Sequence, residues 1–155
     1  MSDLSNVIEG ESYFAKVYEA VADYNEKQKE GSGKYQWEIN VAVDQEVYDA
    51  FKEAGFNAGM RLEKQGLMAY SNKPVITFLK WATDYNGNLN KAPIVMDTDK
   101  AAFEGRIENG SKVKVQWEPY AYGKGRYKRP MLLAVQVVEL VEQAKGEISN
   151  DEVAF

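Results

Sequence analysis

Residues 34–43 read "KYQWEINVAV". Tyr35, Trp37, Ile39, Val41 and Val43 fall on one side of this stretch, and Lys34, Gln36, Glu38 and Asn40 on the other. A period of two predicts a strand with one side in a core and the other in water. Residues 111–120, "SKVKVQWEPY", repeat the pattern: Val113, Val115 and Trp117 alternate with Lys112, Lys114, Gln116 and Glu118. Trp37 and Trp117 therefore fall with the core aliphatics. Residues 12–22, 74–82 and 131–141 read as three more strands, the last apolar enough to be central.

The connections are equally legible. Residues 23–34 form a long polar loop containing Gly31 and Gly33. Residues 44–55, "DQEVYDAFKEAG", predict a short helix with Asp44 as N-cap, a stripe of Val47, Phe51 and Ala54, and Gly55 as its stop. "DYNGN" at 84–88 is a turn, and "TDKAAFEG" at 98–105 predicts one or two helical turns closed by Gly105. Residues 122–130, "YGKGRYKRP", join the last two strands.

Five strands so spaced predict a small closed barrel, because closure removes exposed edges. The predicted turn at 98–104 lies between the third and fourth strands, where an OB-fold places its helix. The expected architecture is mainly β: an OB-fold-like barrel over 1–141, a helical insertion over 44–73, and a disordered acidic tail over 142–155.

Composition narrows the chemistry. The 155 residues are 45% hydrophobic and 28% charged, the balance of one soluble globular domain. No apolar run reaches membrane-spanning length, and the first residues lack the pattern of a signal peptide, so a cytoplasmic setting without a membrane partner is expected. There is no cysteine and no histidine. That excludes disulfides, thiolate nucleophiles, Ser-His and Cys-His relays and zinc sites of the usual ligand types. Asp97, Asp99, Glu104 and Glu108 match no ion-binding spacing, and helix caps and solvated turns account for them better. No catalytic residue, metal or cofactor is expected.

Net charge is −5, yet the charge is segregated. Between Lys112 and Arg129, Lys112, Lys114, Lys124, Arg126, Lys128 and Arg129 face only Glu118, a local +5. Beyond residue 141, Glu142, Glu147, Asp151 and Glu152 stand against Lys145, a local −3. The basic stretch interleaves Tyr120, Tyr122 and Tyr127 with Lys124, Arg126, Lys128 and Arg129. Cations neutralise phosphates while tyrosine rings stack on bases with little discrimination, so the pattern suits a single-stranded nucleic acid. On the water-facing sides of the strands, Phe78 lies with Lys80, Tyr18 with Lys16, and Tyr120 with Lys112 and Lys114. Phe78 and Tyr18 make either a stacking platform or a second small apolar contact under the inserted helix. Trp81 shares its side with Val75 and Leu79, and core packing is expected for it.

A basic, aromatic-rich barrel followed by an acidic segment ending in Phe155 resembles the single-stranded DNA-binding proteins of bacteria and their phages. The stretch from Gly110 to Leu140 is similar to the last two strands of phage members. The resemblance implies an OB-fold that coats single strands in replication, recombination and repair. It further implies an acidic tail, here Asp151, Glu152 and Phe155, that recruits replication and recombination proteins. Other readings of the same residues are an RNA-binding OB-fold module, a structural barrel with an acidic protein partner and, last, a carboxylate-dependent nuclease. Whether the chain forms a homo-oligomer is left open by the sequence.

Overall fold

A computed structural model describes residues 5–22, 35–56, 60–61, 73–83, 88–122, 124–125, 127–140 and 154. Its elements are β1 (Val7–Ala22), β2 (Tyr35–Ala42), α1 (Gln45–Glu53), β3 (Met60–Arg61), β4 (Val75–Trp81), β5 (Ile94–Met96), β6 (Lys112–Tyr122) and β7 (Tyr127–Glu139). The sheet order is β3-β4-β2-β1-β6-β7-β5, and a further pairing of β4 with β7 closes the ring. The barrel strands β1, β2, β4, β6 and β7 are the five predicted. Going round the barrel, the first strand in the chain neighbours the second and fourth, and the third neighbours the fifth. This is an OB-fold-like barrel.

Strand register decides which side chains point inward. Ile39 pairs with Phe78 and Val41 with Ile76, and Val115 pairs with Val135. Directly paired residues share a face, and Ile39, Val41, Ile76, Phe78, Val115 and Val135 are all fully buried. Trp37 and Trp117 join this interior as the alternation predicts. Phe78 does not face water. Its partner Ile39 belongs to the core side of β2, so Ile76 and Phe78 are the inward residues of β4 and Val75, Thr77, Leu79 and Trp81 the outward ones.

The predicted helix forms and packs onto the barrel. Nine residues of helix are marginal in water by themselves, so docking must hold them. Phe51 is fully buried, with its ring centroid 4.8 Å from that of Trp117 and 6.3 Å from that of Phe78. The helix ends in a Schellman motif: Gly55 at φ +93 donates its amide to Lys52 O, and Phe56 N–H donates to Phe51 O. The Phe51–Phe56 ring contact at 5.1 Å supplies the apolar clasp of that motif. Asp44 takes the N-cap position through its backbone, while its carboxylate pairs with Lys73 at 3.3 Å.

Two predicted details change. Residues 98–104 form no helix: Asp97 Oδ1 accepts from the amides of Asp99 and Ala101, closing a turn. The segment before it becomes β5, parallel to β7. The expected loop at 122–130 is mostly strand, because β6 and β7 stay paired as far as Tyr122 and Tyr127. Gly10 sits where β1 crosses the end of β2, and a Cβ there would collide with the carbonyl oxygen of Ala42 and Val41 Cγ1. Residues 57–59, 62–72 and 141–153, with nearly half of the insertion and most of the acidic segment, lie outside the described residues.

Candidate nucleic-acid interface

The β6–β7 hairpin is a long arm. Lys124 at φ 60 and Gly125 at φ 83 make its tip, the two positive-φ positions that a type I′ turn requires. Glycine accepts this conformation freely and lysine does not, so the exposed Lys124 ammonium is held at the tip at some backbone cost. Further down the arm Tyr120 pairs with Arg129, both on the outward face and both partly exposed.

Trp81, at the end of β4, meets Tyr120 edge to face, with ring centroids 5.3 Å apart. Trp81 is half-buried rather than a core residue, and it pairs in register with Gln36 on the outward side of β2. The two rings thus join β4 and β6 outside the barrel, with Arg129 paired in register against Tyr120. The floor next to them is stiff: Thr77 Oγ1 donates to Asn40 Oδ1 at 2.6 Å, and Asn40 Nδ2 donates to the Tyr13 carbonyl at 3.1 Å. This buried polar chain ties β1, β2 and β4 together.

The other predicted residues divide. Phe78 is fully buried against Phe51 and Trp117 and has no surface to stack on a base; it leaves the candidate site. Lys112 and Lys114 share the outward face with Tyr120 but pair in register with Glu11 and Glu9 of β1. Six residues of strand, about 20 Å, separate Lys114 from Tyr120, so the structure does not bring them together. Lys128 turns the other way: its ammonium donates to Ala54 O at 2.8 Å and sits 4.5 Å over the Phe56 ring, compensating the carbonyl end of α1. Lys80 takes the inward parity with Trp37, yet it is partly exposed beside Trp81.

Lys16 pairs with Glu38 on the outward face. Tyr18 is 43% exposed, and its hydroxyl is shared between the carbonyls of Phe103 (2.9 Å) and Gly105 (2.8 Å). Burial raises its pKa above the usual phenol value and the Glu104 charge adds to this, so the hydroxyl stays a donor. Arg126, Asp151, Glu152 and Phe155, and the side chains of Tyr122 and Tyr127, lie outside the described residues. Among the described residues no group of three or more Asp or Glu could hold a metal ion, and no helix is long and apolar enough to cross a membrane.

Sequence reasoning exchanged the two faces of β4, setting Phe78 outward and Trp81 inward. Its run, "VITFLKW", is apolar on both sides, so parity alone cannot orient it. The usable signal was Thr77, a polar residue sharing parity with Trp81, which matches the buried Asn40 on the outward, polar side of β2.

Solved structures of other proteins share this fold. The single-stranded DNA-binding protein of bacteriophage Enc34 in complex with ssDNA superposes with a TM-score of 0.58 at 11% identity, covering 91% of this chain and 90% of that one. Its C-terminal truncation gives 0.57 at 11%, covering 90% and 88%. A further structure of the Enc34 protein gives 0.56 at 10%, covering 95% and 89%. The chain shares their fold. No protein-family model matches it, and no curated protein sequence does. On OB-folds generally, the second and third strands and the loops after the first and fourth form the oligonucleotide face. In this chain those strands are β2 and β4, and the fourth-strand loop is the hairpin tip beside Tyr120.

Proposed function

We propose that this protein binds single-stranded DNA without regard to sequence and acts in phage DNA replication, recombination and repair, in the host cytoplasm. One observation carries the reading. Trp81 and Tyr120, from different strands, form an outward aromatic pair next to Arg129, on the face an OB-fold uses for oligonucleotides. Rings of this kind stack on any base, and Arg129 with the Lys124 tip supplies charge for the backbone. The fold match to a phage protein whose structure is in complex with ssDNA supports the same reading. With no cysteine or histidine in the chain, a binding role rather than catalysis fits best. The acidic segment with Asp151, Glu152 and Phe155 serves partner proteins: its ring offers an anchor for an apolar pocket, and its carboxylates meet basic residues around that pocket.

The test is tryptophan-fluorescence titration with oligo-dT, the same length of RNA, and duplex DNA. Tight, salt-sensitive binding to oligo-dT with weak binding to duplex is expected. Equal or tighter binding to RNA would transfer the reading to an RNA-binding module, and binding to none of the three would end it.

A further inference from the structure

Phe14 occupies a conformation that a bulky side chain rarely adopts. Its φ is 50, within a register irregularity of β1 between Tyr13 and Lys16. Left-handed backbone at such a residue is costly and persists only where the surroundings impose it. Here they do. The Phe14 amide donates to Asn109 Oδ1 at 2.8 Å, Gly110 N–H donates to Ser12 O at 2.7 Å, and Ser12 N–H donates to Ser111 O at 2.8 Å. The turn before β6 thus clamps the bulge. The outcome is a phenyl ring left 40% exposed, and re-aiming a side chain is what bulges beside functional sites do.

The ring borders a cleft of about 490 Å³ between β1 and residues 104–109, shared with Lys16, Tyr18, Glu104, Arg106 and Glu108. That size is within the usual range for small-molecule and cofactor sites, roughly 300–1,000 Å³. Its charges are mixed, and Arg106 Nε pairs with Glu108 Oε1 at 3.0 Å. A phosphate, which only accepts hydrogen bonds, is poorly matched to a wall containing two carboxylates. A nucleobase edge carries both donors and acceptors and is well matched, with an aromatic ring to lie against. The cleft also continues from the interface described above. Lys16 pairs with Glu38 and Glu38 with Leu79, so one outward row runs from β4 across β2 to β1, about 10 Å at ordinary strand spacing.

Building on the single-strand binding proposed above, we propose that this cleft is a second nucleobase subsite, with Phe14 as its stacking surface. A strand engaged at Trp81 and Tyr120 crosses β2 and places a further base against Phe14. Tyr18 is a positioning residue that fixes the far wall through its hydroxyl.

The experiment compares fluorescence anisotropy of oligo-dT of about 4 and about 16 nucleotides, the span of footprints for one OB-fold, on the full chain. Phe14→Ala should weaken the longer oligonucleotide roughly five- to hundredfold and leave the shorter one unchanged. Phe14→Tyr, which keeps a ring in place, should restore affinity for the longer one. Equal losses at both lengths would mean that the ring acts through the fold, and no loss at either length would mean that no base reaches it; both overturn the subsite. Should the unaltered protein bind neither length, the subsite falls together with the function it extends. Loss confined to Phe14→Ala on the longer strand, with Phe14→Tyr restored, leaves that function standing and establishes the subsite.

Discussion

Replacing Phe78 and Trp81 by alanine, one at a time, should give opposite phenotypes although the residues are three apart in one strand. Phe78 is fully buried, between the Phe51 ring at 6.3 Å and Trp117 at 6.4 Å. Truncating such a phenylalanine removes its transfer free energy and leaves a cavity, together about 3–5 kcal/mol. For a domain of this size each kcal/mol shifts Tm by roughly 2–4 °C, so a loss of roughly 6–20 °C is expected. The folded fraction of Phe78→Ala should still bind oligo-dT with nearly unaltered affinity. Trp81→Ala removes a half-buried ring from outside the barrel, so its thermal penalty should be well below that of Phe78→Ala. Its binding should fall by about 1–3 kcal/mol, the range for one base–aromatic stack. Differential scanning calorimetry and anisotropy titration at fixed salt, on both variants, read the two quantities separately. A stable Phe78→Ala that had lost binding, or a Trp81→Ala that bound normally, would refute the assignment of faces on β4.

Further expectations concern the arm, the β1–β2 crossing and the acidic segment. Alanine at Lys124, Arg126 and Arg129 should flatten the dependence of log affinity on log salt by about 0.7 per lost phosphate contact, and an unaltered slope would remove the arm from the interface. Gly10→Ala should destabilise the fold by roughly 1–3 kcal/mol, measured by urea denaturation, because its Cβ meets backbone at the β1–β2 crossing; a neutral result would mean that the crossing relaxes. Deleting residues 146–155 should leave the thermal transition in place and oligo-dT affinity equal or higher, since the segment's carboxylates, by their charge, would compete with DNA for the basic arm. Deleting Phe155 alone should abolish most partner capture without removing a side-chain charge, and loss of folding in either deletion would refute a separable tail.

Much of the fold was legible because its signals are local. The alternation in residues 112–117 reports burial directly. In β2 it picks the inward side, although Gln36 and Asn40 on the other side are covered too rather than in water. The Asp44 and Gly55 boundaries of α1 follow from backbone chemistry that needs no tertiary partner. The orientation of β4 was not legible, because Val75, Ile76, Phe78 and Leu79 are buried on both faces of the strand. Only the register against β2 decides which side is inward, and register is a long-range property. The same limit explains Lys112 and Lys114. Parity placed them correctly outward with Tyr120, but position along a strand counts as much as side, and Glu9 and Glu11 of a distant segment lie across from them. Lys128 looked like another phosphate ligand until α1 supplied Ala54 O, 74 residues away in sequence.

The closure of the barrel has a mechanical consequence. Between β4 and β7 the ladder consists of one parallel residue pair, Leu79 with Met131, whereas β6 and β7 are paired along their whole length. That junction is the seam along which the cylinder opens most readily. Trp81 stands on one lip, and Tyr120 with Arg129 on the other. On the proposed function, a polynucleotide laid over both lips would act as a stitch, since any ligand that favours the shut form adds to its stability by mass action. Bound DNA should therefore slow amide exchange most in β4 and in the first half of β7, including at backbone groups that it does not touch.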